Sequence, residues 1–231
     1  MKELILECAS RLGVELTPDR ADMLIKYYEI LTETNKTMNL TRITEPREVV
    51  LKHFADSLTL LEYVEIPKNS TIIDVGTGAG FPGIPLKIAR PDINLTLLDS
   101  LNKRLGFLGE VCSELGIEAK LVHSRAEDGG KDKLYREKYD FAVSRAVARL
   151  NILSEYCLPY VKVGGSFIAM KGPSEDISLG ENAIKVLGGS LENVHDYELF
   201  DEKRRIAVVK KISQTPSKYP RNSSQIKKKT L

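Results

Sequence analysis

Thr71-Ile72-Ile73-Asp74-Val75-Gly76-Thr77-Gly78-Ala79-Gly80-Phe81-Pro82-Gly83 decides how the rest of the chain is read. Thr71 to Val75 is apolar and rich in β-branched side chains, the composition of a buried strand. It breaks at once into a loop with glycine at 76, 78, 80 and 83. From Pro82 onward, Ile84, Leu86, Ile88 and Ala89 mark a helix. Strand, glycine loop and helix in that order open a nucleotide-binding βαβ unit. The glycines remove Cβ atoms where a ligand must approach backbone.

Gly78-Ala-Gly-Phe-Pro-Gly83 matches the dinucleotide pattern G-x-G-x-x-G, a weak signal by itself. Two residues oppose a pyrophosphate. Pro82 has no N–H to offer a phosphate at the start of the helix. Asp74 would repel an anion and suits a cation. Asp74-x-Gly76-x-Gly78-x-Gly80 resembles the first motif of class I S-adenosylmethionine-dependent methyltransferases, whose cofactor carries a sulfonium and a free amino group. Asp99 ends the next strand, where a ribose-binding acid is expected. The structural alternative is a tight turn beside a chance acid.

Strand–helix alternation begins at Pro67. Strands are predicted over 71–75, 94–98, 118–122, 139–143, 165–170, 190–198 and 204–212, and helices over 82–89, 101–115, 149–160 and 175–187. Strands separated by helices imply a parallel, doubly wound α/β sheet. Only the short stretch Leu199 to Lys203 joins the last two strands, so the final one runs antiparallel. That ending favours a Rossmann-like methyltransferase sheet over a dehydrogenase. Residues 1–66 read as an N-terminal helical cap, with Thr17-Pro18-Asp19 as a helix start and Met23, Leu24, Tyr27, Ile30 and Leu31 as a core-facing stripe. His53 and Asp56 are i,i+3 neighbours that can meet. Residues 67–213 form the methyltransferase domain. The basic tail, 214–231, has no core pattern and is expected to lack regular structure unless bound.

The 231-residue chain holds 34 Lys and Arg against 32 Asp and Glu, but the balance is uneven. Ten basic residues and no acid lie from Lys203 to the end, leaving 24 basic against 32 acidic residues, net −8, in the remainder. A basic terminus on an acidic body suggests contact with a polyanion. No apolar run is long enough to span a membrane, and the N-terminus lacks a signal-peptide core. The three cysteines are widely spaced and read as reduced thiols of a cytoplasmic protein. Three histidines are too few for a histidine-rich metal site, and no metal is expected.

Ligands of open α/β sheets sit beyond the carboxyl ends of the strands. There this chain carries Gly76 to Gly80, then Asp99 and Lys103, then Ser124 to Asp128, then Ser144 and Arg145, then Lys171. Asp74, Asp99 and Glu127 suit a cationic nucleoside cofactor. Lys103, Arg125, Arg145 and Lys171 suit a phosphate-rich substrate, of which Lys103, Arg125 and Lys171 are read as RNA contacts. There is no Asn-Pro-Pro-Tyr motif of exocyclic amine methylation, and no cysteine stands where cytosine C5 attack needs one. Guanine N7 needs neither, because its lone pair is free and alignment suffices. An NAD-binding oxidoreductase and a non-catalytic RNA-binding protein with a vestigial cofactor fold stay open on these residues alone.

Further motifs narrow the field. Asn39-Leu40-Thr41, His53-x-x-Asp56-Ser57-Leu58, Asp74 through Gly83, Asp99-Ser-Leu-x-Lys-Arg104 and Ser144-Arg145-Ala146 together resemble the RsmG family, also called glucose-inhibited division protein B. The resemblance covers nearly the whole chain. It implies S-adenosylmethionine-dependent methylation of a guanine N7 in 16S ribosomal RNA, with that RNA or the small ribosomal subunit as partner; a monomer is expected, though the residues do not fix the oligomeric state. It implies cofactor contacts at Gly76, Phe81, Ala126, Glu127 and Arg145, beside Gly78 of the same loop; the strand-end reading adds Asp99. Arg145 is the candidate catalytic residue. Tyr219-Pro220-Arg221 and Leu231 fit the family's C-terminal pattern, whereas Ser224, Ile226 and Thr230 replace the expected Gly, Pro and Pro.

Overall fold

The computed structural model describes all 231 residues. Seven strands form one sheet: β1 (Thr71–Val75), β2 (Asn94–Asp99), β3 (Ala119–His123), β4 (Tyr139–Arg145), β5 (Val161–Lys171), β6 (Gly189–Leu199) and β7 (Glu202–Lys211). Their order is β3-β2-β1-β4-β5-β7-β6. The first five are parallel, and β7 pairs antiparallel with both β5 and β6. Phe200 and Asp201 close the β6–β7 hairpin, both with positive φ, as a tight turn between right-twisted strands requires. The doubly wound sheet with its antiparallel end is the one expected from the strand spacing.

Eleven α-helices surround the sheet: α1 (Lys2–Arg11), α2 (Pro18–Met38), α3 (Pro46–Val49), α4 (Asp56–Leu58), α5 (Leu60–Tyr63), α6 (Gly83–Ala89), α7 (Asn102–Leu115), α8 (Ala126–Gly129), α9 (Leu150–Cys157), α10 (Glu181–Val186) and α11 (Ser223–Lys228). Thr17 caps α2 through its hydroxyl, and Pro18 occupies the first turn. None of these helices is long and apolar enough to cross a membrane.

Strand parity divides the core in two. Ile72, on one face of β1, joins a cluster with Ile5, Leu24, Tyr27, Phe54, Ile84 and Leu108. Ile73 and Val75, on the other face, join Leu150, Leu153, Tyr160 and Phe167. The first cluster ties α1, α2 and the helical stretch from Pro46 to the same sheet face as α6 and α7. Tyr27, read from sequence as a core residue, is fully buried there. It also stacks on Phe81 with ring centres 5.4 Å apart, and its hydroxyl donates to the carbonyl of Ala79. One helix of the N-terminal segment thus holds the glycine loop from behind.

The C-terminal segment differs from the expectation. It is ordered and docked: Asn222 caps α11, and Ile226 is fully buried in the second cluster. Isolated apolar anchors, Tyr219 and Ile226 in the cluster with Leu231 against it, leave no periodicity in the sequence, which is why the segment reads there as unstructured.

Candidate functional site

The glycine loop runs between β1 and α6 beneath the carboxyl edge of the sheet. Gly76 N–H donates to Leu98 O at 2.9 Å, and Thr77 N–H to the same oxygen at 3.1 Å, so the loop is sewn to the end of β2. Gly76, Gly78 and Gly80 all have positive φ. A Cβ on Gly80 would lie 2.6 Å from the Tyr27 hydroxyl oxygen, so packing as well as conformation demands glycine there.

Asp74 does not face a ligand. It is fully buried, and its Oδ2 accepts from Thr77 Oγ1 at 2.8 Å and from Gly83 N–H at 2.9 Å. Burial pushes its pKa up to about 6. The expectation that Asp74 binds a cationic cofactor is therefore corrected: its parity along β1 turns it toward the start of α6. The result also bears on the choice of cofactor. One N–H at the beginning of α6 is already taken by a carboxylate, and the preceding residue is proline, so this helix offers little to a pyrophosphate.

Above the loop lies an open cavity of about 520 Å³. Gly76, Gly78, Phe81, Asp99, Ala126, Glu127 and Arg145, all expected from sequence, line it, as does Arg125. Asp99 is buried, and its Oδ2 accepts from Gly78 N–H at 3.0 Å and from Arg104 Nη1 at 3.3 Å. Its Oδ1 accepts from Leu101 N–H at 2.9 Å. Asp99 thus braces the glycine loop while lining the cavity. Glu127 is 5% exposed, and its carboxylate takes part in none of the protein's ion pairs or side-chain hydrogen bonds. Its oxygens open on the cavity, where they are free to accept from a ligand. Backbone freed of side chains, a braced acid and a second free acid together fit an adenosyl cofactor with hydroxyl and amino donors.

Arg145 ends β4 inside a network. Its Nη1 donates to Asp56 Oδ2 at 2.7 Å and to Lys52 O at 3.0 Å, and its Nη2 lies 3.2 Å from His53 Nδ1. His53 Nδ1 is also 3.1 Å from the Lys52 carbonyl oxygen, so it lies between a guanidinium that only donates and a carbonyl that only accepts. Nε2 lies 2.9 Å from Thr41 Oγ1. Burial, aided by the Arg145 charge, pushes the His53 pKa down to about 3 and keeps the ring neutral. His53 stacks on Phe81 at 4.4 Å between centres, and the Arg145 guanidinium lies 5.0 Å from the centre of the same ring. His53 and Asp56 meet around Arg145 rather than as a simple helical pair. The segment Val50–Ala55 is π-helical, which changes the angular spacing of side chains.

Arg145, His53, Ala146 and Val147 also line a second cavity of about 540 Å³. Lys52, Asp56, Arg149, Lys171, Glu175 and Arg204 contribute to it. Lys171 is buried, and its ammonium donates to the Ala148 carbonyl and pairs with Glu175 at 3.3 Å. It is therefore no open cation for an RNA phosphate, which corrects the strand-end reading. Burial lowers its pKa. Lys103 is exposed and lies outside both cavities. Sequence reasoning missed Arg104, Ser223 and Lys227 in the first cavity and Arg204 in the second. The five-residue step from Asp99 to Arg104 across a helix start was the one available hint. No group of three or more His, Cys, Asp or Glu side chains is placed to hold a metal ion.

Known proteins match both sequence and fold. A family model described as "GidB: rRNA small subunit methyltransferase G" matches residues 20–206. A "Ribosomal RNA small subunit methyltransferase G" of Desulforamulus reducens is 52% identical over 97% of this chain and 96% of its own length. One of Alkaliphilus oremlandii is 53% identical over 100% of this chain and 99% of its own. Among solved structures, a SAM-dependent methyltransferase from Aquifex aeolicus aligns with a TM-score of 0.54 at 17% identity, covering 74% of this chain and 96% of that one. TrmN from Thermus thermophilus aligns at 0.54 and 16% identity, covering 71% of this chain and 53% of that one. These two likenesses concern the fold.

Proposed function

This chain belongs to the GidB family, rRNA small subunit methyltransferase G, and from that premise we propose that it methylates N7 of a guanine in 16S ribosomal RNA with S-adenosylmethionine. It acts as a cytoplasmic monomer on the RNA or on the small ribosomal subunit. Residues 1–66 cover the cofactor site, and residues 67–213 are the methyltransferase unit.

The observation that carries this reading is the meeting of two cavities across Arg145, His53, Ala146 and Val147. The first takes the cofactor, held at Gly76, Gly78, Phe81, Asp99, Ala126 and Glu127. When bound, S-adenosylmethionine supplies an electrophilic methyl group on a sulfonium. The second takes an unstacked guanine, delivered from single-stranded or opened RNA. Guanine N7 presents a free lone pair, so no residue has to remove a proton before attack. His53 agrees with this requirement: both ring nitrogens are engaged within the protein, Nδ1 beside Arg145 and the Lys52 carbonyl and Nε2 beside Thr41, which leaves it a positioning group rather than a general base. Arg145 is oriented from three sides and stands at the junction. Its role is to align the two reactants, where preorganised geometry lowers the barrier. Exposed Arg125 and Lys103 lie along the edge where an RNA phosphate would pass.

Thermal unfolding with added ligand tests the cofactor. S-adenosylmethionine and S-adenosylhomocysteine should each raise the midpoint, and NADH should not. Stabilisation by NADH alone would reject the reading.

A further inference from the structure

The C-terminal segment is fastened to the body at several points. Arg136 donates to the carbonyls of Thr215 at 2.6 Å and Tyr219 at 2.8 Å. Arg221 forks onto Glu155, with Nη2 to Oε2 at 2.6 Å and Nε to Oε1 at 2.9 Å, and its backbone N–H donates to Oε1 at 2.7 Å. Glu155 is 1% exposed, so this charge is held by one partner. A reciprocal cap starts α11: Asn222 Oδ1 accepts from Gln225 N–H at 2.9 Å, and Gln225 Oε1 accepts from Asn222 N–H at 3.3 Å. With Ile226 buried, the phase of the helix is fixed.

That phase has a consequence for the first cavity. Ser223 and Lys227 are four residues apart, one above the other on α11, and both line it. They share that wall with Ser124, Glu127 and Tyr156. The opposite end of the cavity, at Arg145 and His53, adjoins the second cavity, where the transferred group must be. The end formed by Glu127 and α11 is left for the nucleobase. An adenine edge carries amine donors beside ring-nitrogen acceptors. Glu127 supplies only acceptors, so the ring nitrogens need donors from elsewhere, and the ammonium of Lys227 and the hydroxyl of Ser223 are on hand.

We propose that α11 is a wall of the cofactor site, with Lys227 and Ser223 donating to the adenine of S-adenosylmethionine beside Glu127. The proposal rests on the cofactor assignment above. Docking of the C-terminal segment and cofactor binding are then linked, and each strengthens the other. Part of the segment's positive charge serves the cofactor rather than RNA.

The test measures S-adenosylhomocysteine affinity by calorimetry in the full-length protein and in Lys227→Ala, Lys227→Arg and Ile226→Asp, with folding checked by circular dichroism. Lys227 is exposed, so its substitution leaves the core intact. Lys227→Ala should weaken binding about tenfold, as loss of a charged donor does, and Lys227→Arg should recover most of it. Ile226→Asp, which releases α11, should weaken binding at least as much. Carboxypeptidase should trim the unmodified C-terminus more slowly when S-adenosylhomocysteine is present. Unchanged affinity in Lys227→Ala overturns the proposal, and so does a trimming rate that the ligand does not alter. If the unsubstituted protein binds NADH and not S-adenosylhomocysteine, the cofactor assignment itself fails, a result distinct from either.

Discussion

Asp56→Ala removes the carboxylate that holds Arg145 at the junction of the two cavities. Asp56 is buried, accepts from Arg145 Nη1 at 2.7 Å, and lies 3.5 Å from Arg204 Nε. Removing one partner of a buried ion pair costs about 3–5 kcal/mol, because the other charge is left without compensation. Two features place this case at the low end. Arg145 keeps the Lys52 carbonyl, and the Arg145 and Arg204 side chains are 15% and 24% exposed, so water can reach them. A loss of about 3 kcal/mol should lower the unfolding midpoint by roughly 6–12 °C in a chain of this size. The functional effect should be larger in proportion. Freed from Asp56, the guanidinium loses its orientation, and a misplacement of about 1 Å can cost on the order of a hundredfold in rate. Affinity for S-adenosylhomocysteine should change less, since Asp56 does not line the first cavity. Asp56→Asn keeps an acceptor oxygen and should lose less on both counts. The assay is thermal unfolding by circular dichroism, followed by methyl transfer measured well below the variant's midpoint. An unfolding midpoint and a transfer rate both equal to those of the unsubstituted protein would refute the role given to this network.

Asp99→Ala should weaken S-adenosylhomocysteine binding at least about tenfold by calorimetry, since a charge-assisted hydrogen bond contributes roughly 1.5–3 kcal/mol; unchanged affinity would remove Asp99 from the site. Gly80→Ala should cost about 2–4 kcal/mol in denaturant unfolding, from overpacking plus backbone strain, because its Cβ would meet Tyr27, Ile84 and Leu108 at 2.6–2.8 Å with φ at +99°. Gly116→Ala, with φ at +61° and nothing within 4 Å, isolates the strain alone and should cost about 1–2 kcal/mol. His53 stays neutral in the folded protein down to about pH 3, whereas the unfolded chain takes up its proton near pH 6.5. Its contribution is complete above pH 6.5 and is lost as pH falls toward 3, by up to about 1.4 kcal/mol per pH unit. Asp74, raised to about 6, has the opposite slope between pH 3.8 and 6, so the measurable quantity is the stability difference between the unsubstituted protein and His53→Gln. That difference should shrink as pH falls, and a flat difference would contradict the assignment.

The fold was legible because its signals are local. The strands that build the site edge carry short, largely apolar runs, at 71–75 in β1, 95–98 in β2 and 141–143 in β4, and the glycine loop that follows β1 announces the site. The cavity-lining residues at strand ends were legible for the same reason: topology puts them on one edge. Side-chain direction was not. Asp74 and Lys171 occupy the expected positions, yet each turns inward to partners the sequence does not mark, Gly83 N–H for one and the Ala148 carbonyl for the other. Nor did the sequence show that Arg221 would reach Glu155, 66 positions away. Long-range pairing of single charged residues leaves no period to read. His53 and Asp56 were visible as a pair, but the π-helical turn and the shared Arg145 that give the pair its purpose belong to tertiary structure.

Methyl transfer to an identified atom tests the central claim most directly. The purified protein, S-adenosylmethionine labelled in its methyl group, and small ribosomal subunits lacking the modification are incubated together, and the digested RNA is resolved by mass spectrometry. The account predicts label in 7-methylguanosine from 16S RNA, and its loss with Arg145→Ala while that variant remains folded. Label on a different atom or base, or transfer by Arg145→Ala at the unsubstituted rate, would contradict it.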